Sequence, residues 1–173
     1  MNPIPPGPAV AVITLVAVLL VMAGEALLSA FNERVLRSRG AIEPEGDVYR
    51  TMLWMYPASF MLMAIEGAIT GPSPRDVMLL GFAVFGCAKA LKAWAISTLG
   101  PRWTFRVLVL TDAPLVTAGP YRWMRHPNYL AVVGEMIGVA AIVRAPIAGA
   151  LGVVVFGWLM RRRIGVEDRA LGR

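Results

Sequence analysis

Arg125-His126-Pro127-Asn128-Tyr129 is the densest group of residues in this chain able to do chemistry, and it holds the one histidine. It closes the stretch Gly119–Tyr129, which also carries Tyr121, Arg122 and Trp123. Pro127 restricts His126 to extended conformations and suits the first turn of a following helix. His126 is then held just outside a helix N-terminus, where free backbone N–H groups attract anions such as carboxylates. There it can donate a hydrogen bond to such a group or accept a proton near neutral pH. The plainer alternative is an interfacial anchor of aromatic and histidine side chains. A second pair, Arg163 and Glu167, is spaced to share one helix face. It is either a simple ion pair, or a pair in which Glu167 accepts from ligand hydroxyl or amine groups while Arg163 grips an acid group in bidentate fashion. Third is Glu135, about two turns past Asn128. A carboxylate inside an apolar run is a functional candidate by default, or else a structural partner for Lys89 or Lys92.

Other chemistries lack their residues. GxGxxG, P-loop, CxxC and HExxH patterns are absent. One histidine and one cysteine do not make a usual zinc site, and no serine lies in a nucleophile-elbow pattern. The expectation is a site without metal.

These residues must be positioned by membrane helices. Of 173 residues, 57% are apolar and only 16% charged, with a mean hydropathy of +0.63, well below the roughly 25% charge of soluble domains. Ala9–Ala30 reads as the first span; it has no basic n-region and exceeds a signal-peptide core. Its Glu25 must face other helices or the headgroups. Phe31–Asp47 reads as a polar loop, Val48–Thr70 as a second span with Pro57 inside, and Val77–Ser97 as a third. In the third span Lys89 and Lys92 share a face, either snorkelling to the interface or lining a cavity. Cys87 is expected to pack in the core. Leu99–Pro127 is a long loop in which Phe105–Leu110 alternates weakly, as a short extended segment would. Asn128–Val143 and Ala145–Met160 are short runs that should form a tight helical hairpin, followed by an amphipathic tail, Ile164–Arg173. The expected fold is all-α, one domain over 1–173, with about five transmembrane helices, a C-terminal helical hairpin and no Rossmann domain.

The net charge is +6 and the pI about 10.2. With the N-terminus outside, the inner loops and tail take most arginines, Arg34 to Arg50, Arg102 to Arg125 and Arg161 to Arg173, whereas the outer loops take Arg75 and Arg144. This bias follows the positive-inside rule. It explains the charge without a nucleic-acid partner and puts the His126 loop and the C-terminus on the cytoplasmic side.

Leu115-Val116-Thr117-Ala118-Gly119-Pro120-Tyr121, running into Arg125–Tyr129 and closed after a helical hairpin by Arg163-x-x-x-Glu167-Asp168, resembles the isoprenylcysteine carboxyl methyltransferase family. The likeness covers roughly Trp94 to Leu171. Asn32-Glu33-Arg34 and Arg39–Glu43 look like its bacterial branch, which methylates small lipidic products. The resemblance implies an integral membrane O-methyltransferase that uses S-adenosylmethionine and takes a lipidic or prenylated acceptor from the bilayer. It implies that Leu115, Val116 and Tyr121 wrap the cofactor. It further implies that His126, Pro127, Asn128 and Tyr129 contact it, that Glu167 holds it from the C-terminal helix, and that Arg163 lies by the acceptor's acid group. His126 or Glu135 would assist an acceptor that must lose a proton. A bacterial inner membrane is the expected location. Two departures bear on the cofactor lid and on substrate preference: Ala131 stands where members often have glycine, and the Tyr- and Pro-rich tail of many members is not in this sequence. Phospholipid N-methylation is the alternative within the same chemistry, and an NADPH-dependent sterol-type reductase, which shares RHPNY, is the alternative outside it.

Overall fold

The computed structural model describes residues 6–110 and 113–170. Five helices follow in order: α1 (Pro6–Ser38), α2 (Tyr49–Thr70), α3 (Arg75–Leu99), α4 (Pro127–Val143) and α5 (Pro146–Ala170). Short 3-10 turns at Gly100–Arg102 and Gly119–Arg122 interrupt the long loop between α3 and α4. There is no strand among the described residues; the expected extended segment is reduced to one antiparallel bridge between Ile42 and Val109. The all-α architecture with a C-terminal hairpin is as the sequence implied.

By length and composition α1, α2 and α3 can cross a membrane, while α4 is a shorter apolar helix of 17 residues. Large apolar side chains such as Leu20, Leu27, Ile69 and Val154 point outward, the surface a helical membrane protein turns to lipid. Cys87 is among the outward residues and not in the core, because its position on α3 falls on the face opposite the α3–α4 contact. The core is built from Phe60, Met63, Met136 and Ile142.

Two helix boundaries differ from the sequence reading. α1 runs on through Ser38, because Leu36 is buried and Ser29 and Asn32 face inward to bind the α3–α4 loop. Residues 31–38, read as the start of a polar loop, are thus the last two turns of a helix, and the loop itself begins after Ser38. α5 likewise continues unbroken past Arg161-Arg162-Arg163 to Ala170, carrying Arg163 and Val166 inward; residues 171–173 of the expected tail lie outside the described part.

α3 and α4 pack backbone to backbone. A Cβ added at Gly138 would lie 2.8 Å from the Phe85 nitrogen, and one at Gly81 would lie 2.9 Å from the Gly138 oxygen. Small residues permit such contact in a membrane bundle, where close packing replaces the hydrophobic effect as the driving force. Gly138→Ala is therefore expected to destabilise the bundle by about 1–3 kcal/mol, seen as a lower melting temperature of the detergent-purified protein. An unchanged melting temperature would show that the two helices can part at no cost.

At one end of the bundle Glu66 of α2 accepts hydrogen bonds from the backbone N–H of Ile147 (3.1 Å) and Ala148 (2.6 Å), capping the start of α5. Arg144, in the left-handed region at φ 58°, makes the turn of the hairpin. At the other end the loop after α1, the α3–α4 loop and the end of α5 converge. The His126 segment and the end of α5 therefore share one end, as the charge pattern required.

Candidate functional site

Loop 100–110 is laid over the end of α1 and the loop that follows it by three anchors. The Asn32 amide donates to the Trp103 carbonyl at 2.8 Å, the Phe105 N–H donates to Ser29 Oγ at 2.8 Å, and the Val107 N–H donates to Asp47 Oδ2 at 3.0 Å. Arg106 adds a salt bridge to Glu43 at 2.7 Å and lies over the Tyr49 ring, 4.4 Å from its centroid. Burial pushes the Glu43 carboxyl up, but hydrogen bonds from Arg37 and Arg106 more than offset this and hold it below its ordinary range.

Beneath this roof lies a cavity of about 320 Å³, running from the loops into the bundle. At its mouth the sequence motif assembles. Pro127 is the first residue of α4, and His126 sits just before it in the N-cap position, without capping the helix through its side chain. His126 stacks on Tyr129, rings 5.4 Å apart and 19° from parallel. The Tyr129 hydroxyl donates to Glu167 Oε1. Nδ1 of His126 lies 3.3 Å from the other Glu167 oxygen, and Arg163 Nε lies 3.3 Å from Oε1. Arg163 is 6% exposed, and its far end reaches toward Asp47 at 4.0 Å. The i,i+4 pair of the sequence is thus real, with Arg163 buried and Glu167 partly buried, inside a knot spanning α4, α5 and the loop after α1.

Nε2 of His126 and Oδ1 of Asp168 are buried, face each other at 3.8 Å, and have no hydrogen-bond partner among the described residues. Burial, and after it the charge of Glu167, pushes the Tyr121 phenol well above its ordinary value, so it remains a neutral donor.

Glu167 experiences opposing effects. Burial raises its pKa; the His126 hydrogen bond, the Arg163 charge and the Tyr129 hydroxyl lower it by more, leaving it below its ordinary 4.5. The folded state therefore holds the ionised carboxylate better than the unfolded chain does. Its contribution to stability is full above about pH 4.5 and is lost as pH falls below that value toward the folded pKa. The melting temperature is expected to fall as pH drops through this range, and to fall less in Glu167→Gln. Equal pH slopes in the two proteins would mean that Glu167 is not held ionised by its neighbours.

Of the residues singled out from sequence, Leu115, Val116, Tyr121, His126, Asn128, Tyr129, Arg163 and Glu167 line the cavity. Asn128 accepts a hydrogen bond from the Trp103 indole at 3.4 Å. Pro127 does not line the cavity; it is buried at the helix start. Glu135 lies deeper, wholly buried, in a cluster that joins four helices. Lys89 Nζ lies 2.9 Å from Glu25 and 3.0 Å from Glu135; Lys92 Nζ lies 2.6 Å from Glu25 and 3.3 Å from Glu135. The Tyr56 hydroxyl donates to Glu135 Oε2 at 2.6 Å. The lysines thus turn inward and do not snorkel. Asp47, Trp103 and Tyr56 were not picked out from sequence as site residues. Nothing in their local sequence marks them, since each gains its role from a partner 25 to 116 positions away.

A model of the isoprenylcysteine carboxyl methyltransferase (ICMT) family matches residues 79–173. The chain is 31% identical to the uncharacterized protein YpbQ of Bacillus subtilis, over 91% of this chain and 94% of that protein. It is 26% identical to an uncharacterized protein of Haemophilus influenzae, over 92% of this chain and 93% of the other. A nickel-cobalt-cadmium resistance protein, NccN, of Alcaligenes xylosoxydans xylosoxydans is 26% identical over 72% of this chain and 57% of its own length. No solved structure matches the chain.

Proposed function

The chain belongs to the isoprenylcysteine carboxyl methyltransferase family, and on that premise we propose that it is a membrane O-methyltransferase that uses S-adenosylmethionine and acts on an apolar lipidic or prenylated acceptor from the bilayer. The observation that carries this reading is the knot of His126, Tyr129, Arg163 and Glu167 at the mouth of a cavity with a largely apolar lining.

The residues present suit that cofactor. It combines a cation, amino and hydroxyl donors, a carboxylate and a flat base. Glu167 offers an ionised acceptor for amino or hydroxyl groups, and His126, which also lines the cavity, offers a further polar contact. Tyr121 and Tyr129 supply aromatic surface for a sulfonium or an adenine. Leu115 and Val116 close the loop side. When bound, the cofactor supplies an electrophilic methyl group. The protein's share is to hold an acceptor oxygen in line and to keep water from a charged centre. Orientation of that kind lowers a barrier by roughly 7–11 kcal/mol at best. The excess of arginine at the site end supports a cytoplasmic site in a bacterial inner membrane.

The test is calorimetric titration of the detergent-purified protein with S-adenosylmethionine and, separately, with NADPH. Micromolar binding of the first and none of the second is expected. The reverse result would move the protein to the reductases that share RHPNY and remove the role given to Glu167.

A further inference from the structure

The outward face of α5 carries a pattern of its own. At about 100° per residue, Leu151, Val154 and Trp158 fall on one arc with Arg161, Arg162, Gly165 and Arg169, opposite the arc that takes Arg163 and Glu167 into the cavity. The membrane-ward part of this stripe is apolar and open, with Leu151 61%, Val154 69% and Trp158 54% exposed. Two arginines follow within a turn of Trp158, and a third two turns later.

Those arginines converge on a gap. Gly165 lies between Arg161 and Arg169, about one turn from each, and a Cβ built on it would meet the Arg169 guanidinium at 3.6 Å. The missing side chain leaves a notch. Arg161, Arg162, Val166 and Arg169 line it from α5, and Gly46 and Val48 line it from the loop after α1. The Arg162 guanidinium also lies over the Trp158 ring, 4.4 Å from its centroid.

No acidic residue lines the notch. The acids beside it in sequence are turned away: Asp47 accepts the Val107 N–H, and Asp168 faces His126. Elsewhere at this end Arg37 and Arg106 pair with Glu43, and Arg163 with Glu167. Arg161, Arg162 and Arg169 enter no ion pair among the described residues. The positive-inside rule accounts for arginine at this end, but it does not require three of them to meet around a missing side chain. The level is that of the lipid headgroups. Trp54, Trp94, Trp123 and Trp158 all lie at this end and are all exposed, as tryptophans are in the belt at a membrane–water interface. An anion drawn from water would need the arginines alone. The apolar stripe that leads into them suits an anion that carries acyl chains.

We infer that the notch holds the headgroup phosphate of an anionic phospholipid from the leaflet at this end, with its chains along Leu151 and Val154; nothing in this rests on methyl transfer. The phosphate accepts hydrogen bonds from the guanidinium groups, whose planar forks match its oxygens. Basic notches beside membrane helices recognise anionic headgroups in this way. Bound there, the headgroup ties the end of α5 to the loop after α1. Those segments carry Glu167 and Asp47 toward the cavity, so the lipid braces the cavity wall from outside.

The experiment is thermal unfolding of the full chain in dodecyl maltoside. The protein is titrated with dioleoyl phosphatidylglycerol, with dioleoyl phosphatidylcholine and, without lipid, with inorganic phosphate against chloride at equal ionic strength. Phosphatidylglycerol is expected to raise the melting temperature by about 5 °C or more at saturation. Its midpoint should lie about tenfold or more below that of phosphatidylcholine, and phosphate should change nothing. Gly165→Leu keeps every charge, fills the notch and improves helix propensity. Arg161→Gln with Arg169→Gln keeps the notch and removes two charges. Each should bring the two lipid midpoints within about twofold of one another. Arg34→Gln with Arg39→Gln removes the same charge from exposed positions outside the notch and should keep the preference. The lipid-free melting temperature of each variant shows whether it is folded. Equal stabilisation of the wild type by the two lipids overturns the inference without any variant. So does a Gly165→Leu protein that keeps the preference, or an Arg34/Arg39 variant that loses it, because the attraction is then that of a diffuse positive surface. Stabilisation by inorganic phosphate as large as that by phosphatidylglycerol also overturns it and makes the notch a site for a free anion.

Discussion

Glu167→Ala is expected to weaken S-adenosylmethionine binding by a hundredfold or more, a loss of about 2.7 kcal/mol or greater. The carboxylate is the centre of the knot at the cavity mouth. It accepts from the Tyr129 hydroxyl and lies 3.3 Å from both His126 Nδ1 and Arg163 Nε. Removing it does two things. A ligand amine or hydroxyl loses an ionised acceptor, and hydrogen bonds to charged groups are the strong ones, worth about 1.5–3 kcal/mol each. In addition, Arg163, 6% exposed, is left with Asp47 at 4.0 Å as its nearest acid partner, and the ring of His126 loses what orients it. Glu167→Gln keeps the shape and one acceptor oxygen, so it should lie between wild type and alanine. The measurement is a calorimetric Kd on proteins whose melting temperatures show them folded. An alanine variant that binds within twofold of wild type would remove Glu167 from the cofactor site and reduce it to an ion pair.

The second large effect concerns the bundle itself. Glu135→Ala should cost about 3–5 kcal/mol of stability, because it leaves the buried Lys92 and the partly buried Lys89 sharing Glu25. Most membrane charges are expensive unless paired, and this quartet pairs every member twice while joining α1, α3 and α4, with α2 attached through Tyr56. The effect should come from the orphaned charge and not from lost volume. Restoring neutrality by combining Glu135→Leu with Lys89→Met is accordingly expected to recover much of the loss, a coupling that a double-mutant cycle measures. Urea or heat unfolding in one detergent would decide it. A Glu135→Ala protein as stable as wild type, or a double variant no better than the single, would mean that the cluster is hydrated and holds nothing together.

Much of this protein could be read without coordinates, because near-neighbour physics wrote it into the chain. Long apolar runs gave the spans, since a backbone in lipid must satisfy its own hydrogen bonds as helix. Pro127 marked the start of α4, and the i,i+4 spacing put Arg163 and Glu167 on one face. The arginine bias placed the His126 loop and the end of α5 together, and the structure has them at one end of the bundle. The family resemblance, carried by the order of the two motifs, brought His126, Tyr129 and Glu167 forward as a group.

What only the tertiary structure decided depends on how each helix is rotated and on which partners then meet. Polar residues past Ala30 read as loop, yet Ser29, Asn32 and Leu36 face inward and keep α1 helical to Ser38. Cys87 is apolar enough for a core but falls on the outer face. Lys89 and Lys92 fit snorkelling or a cavity equally well until α1 and α4 each present a carboxylate to them. Asp47 has no local signature, and its meaning comes from the Val107 N–H and from Arg163. Periodicity fixes that a residue shares a face with its neighbours one turn away. It carries no information about which face of another helix, dozens of residues distant, will lie opposite, and in this protein that opposition makes the cavity floor.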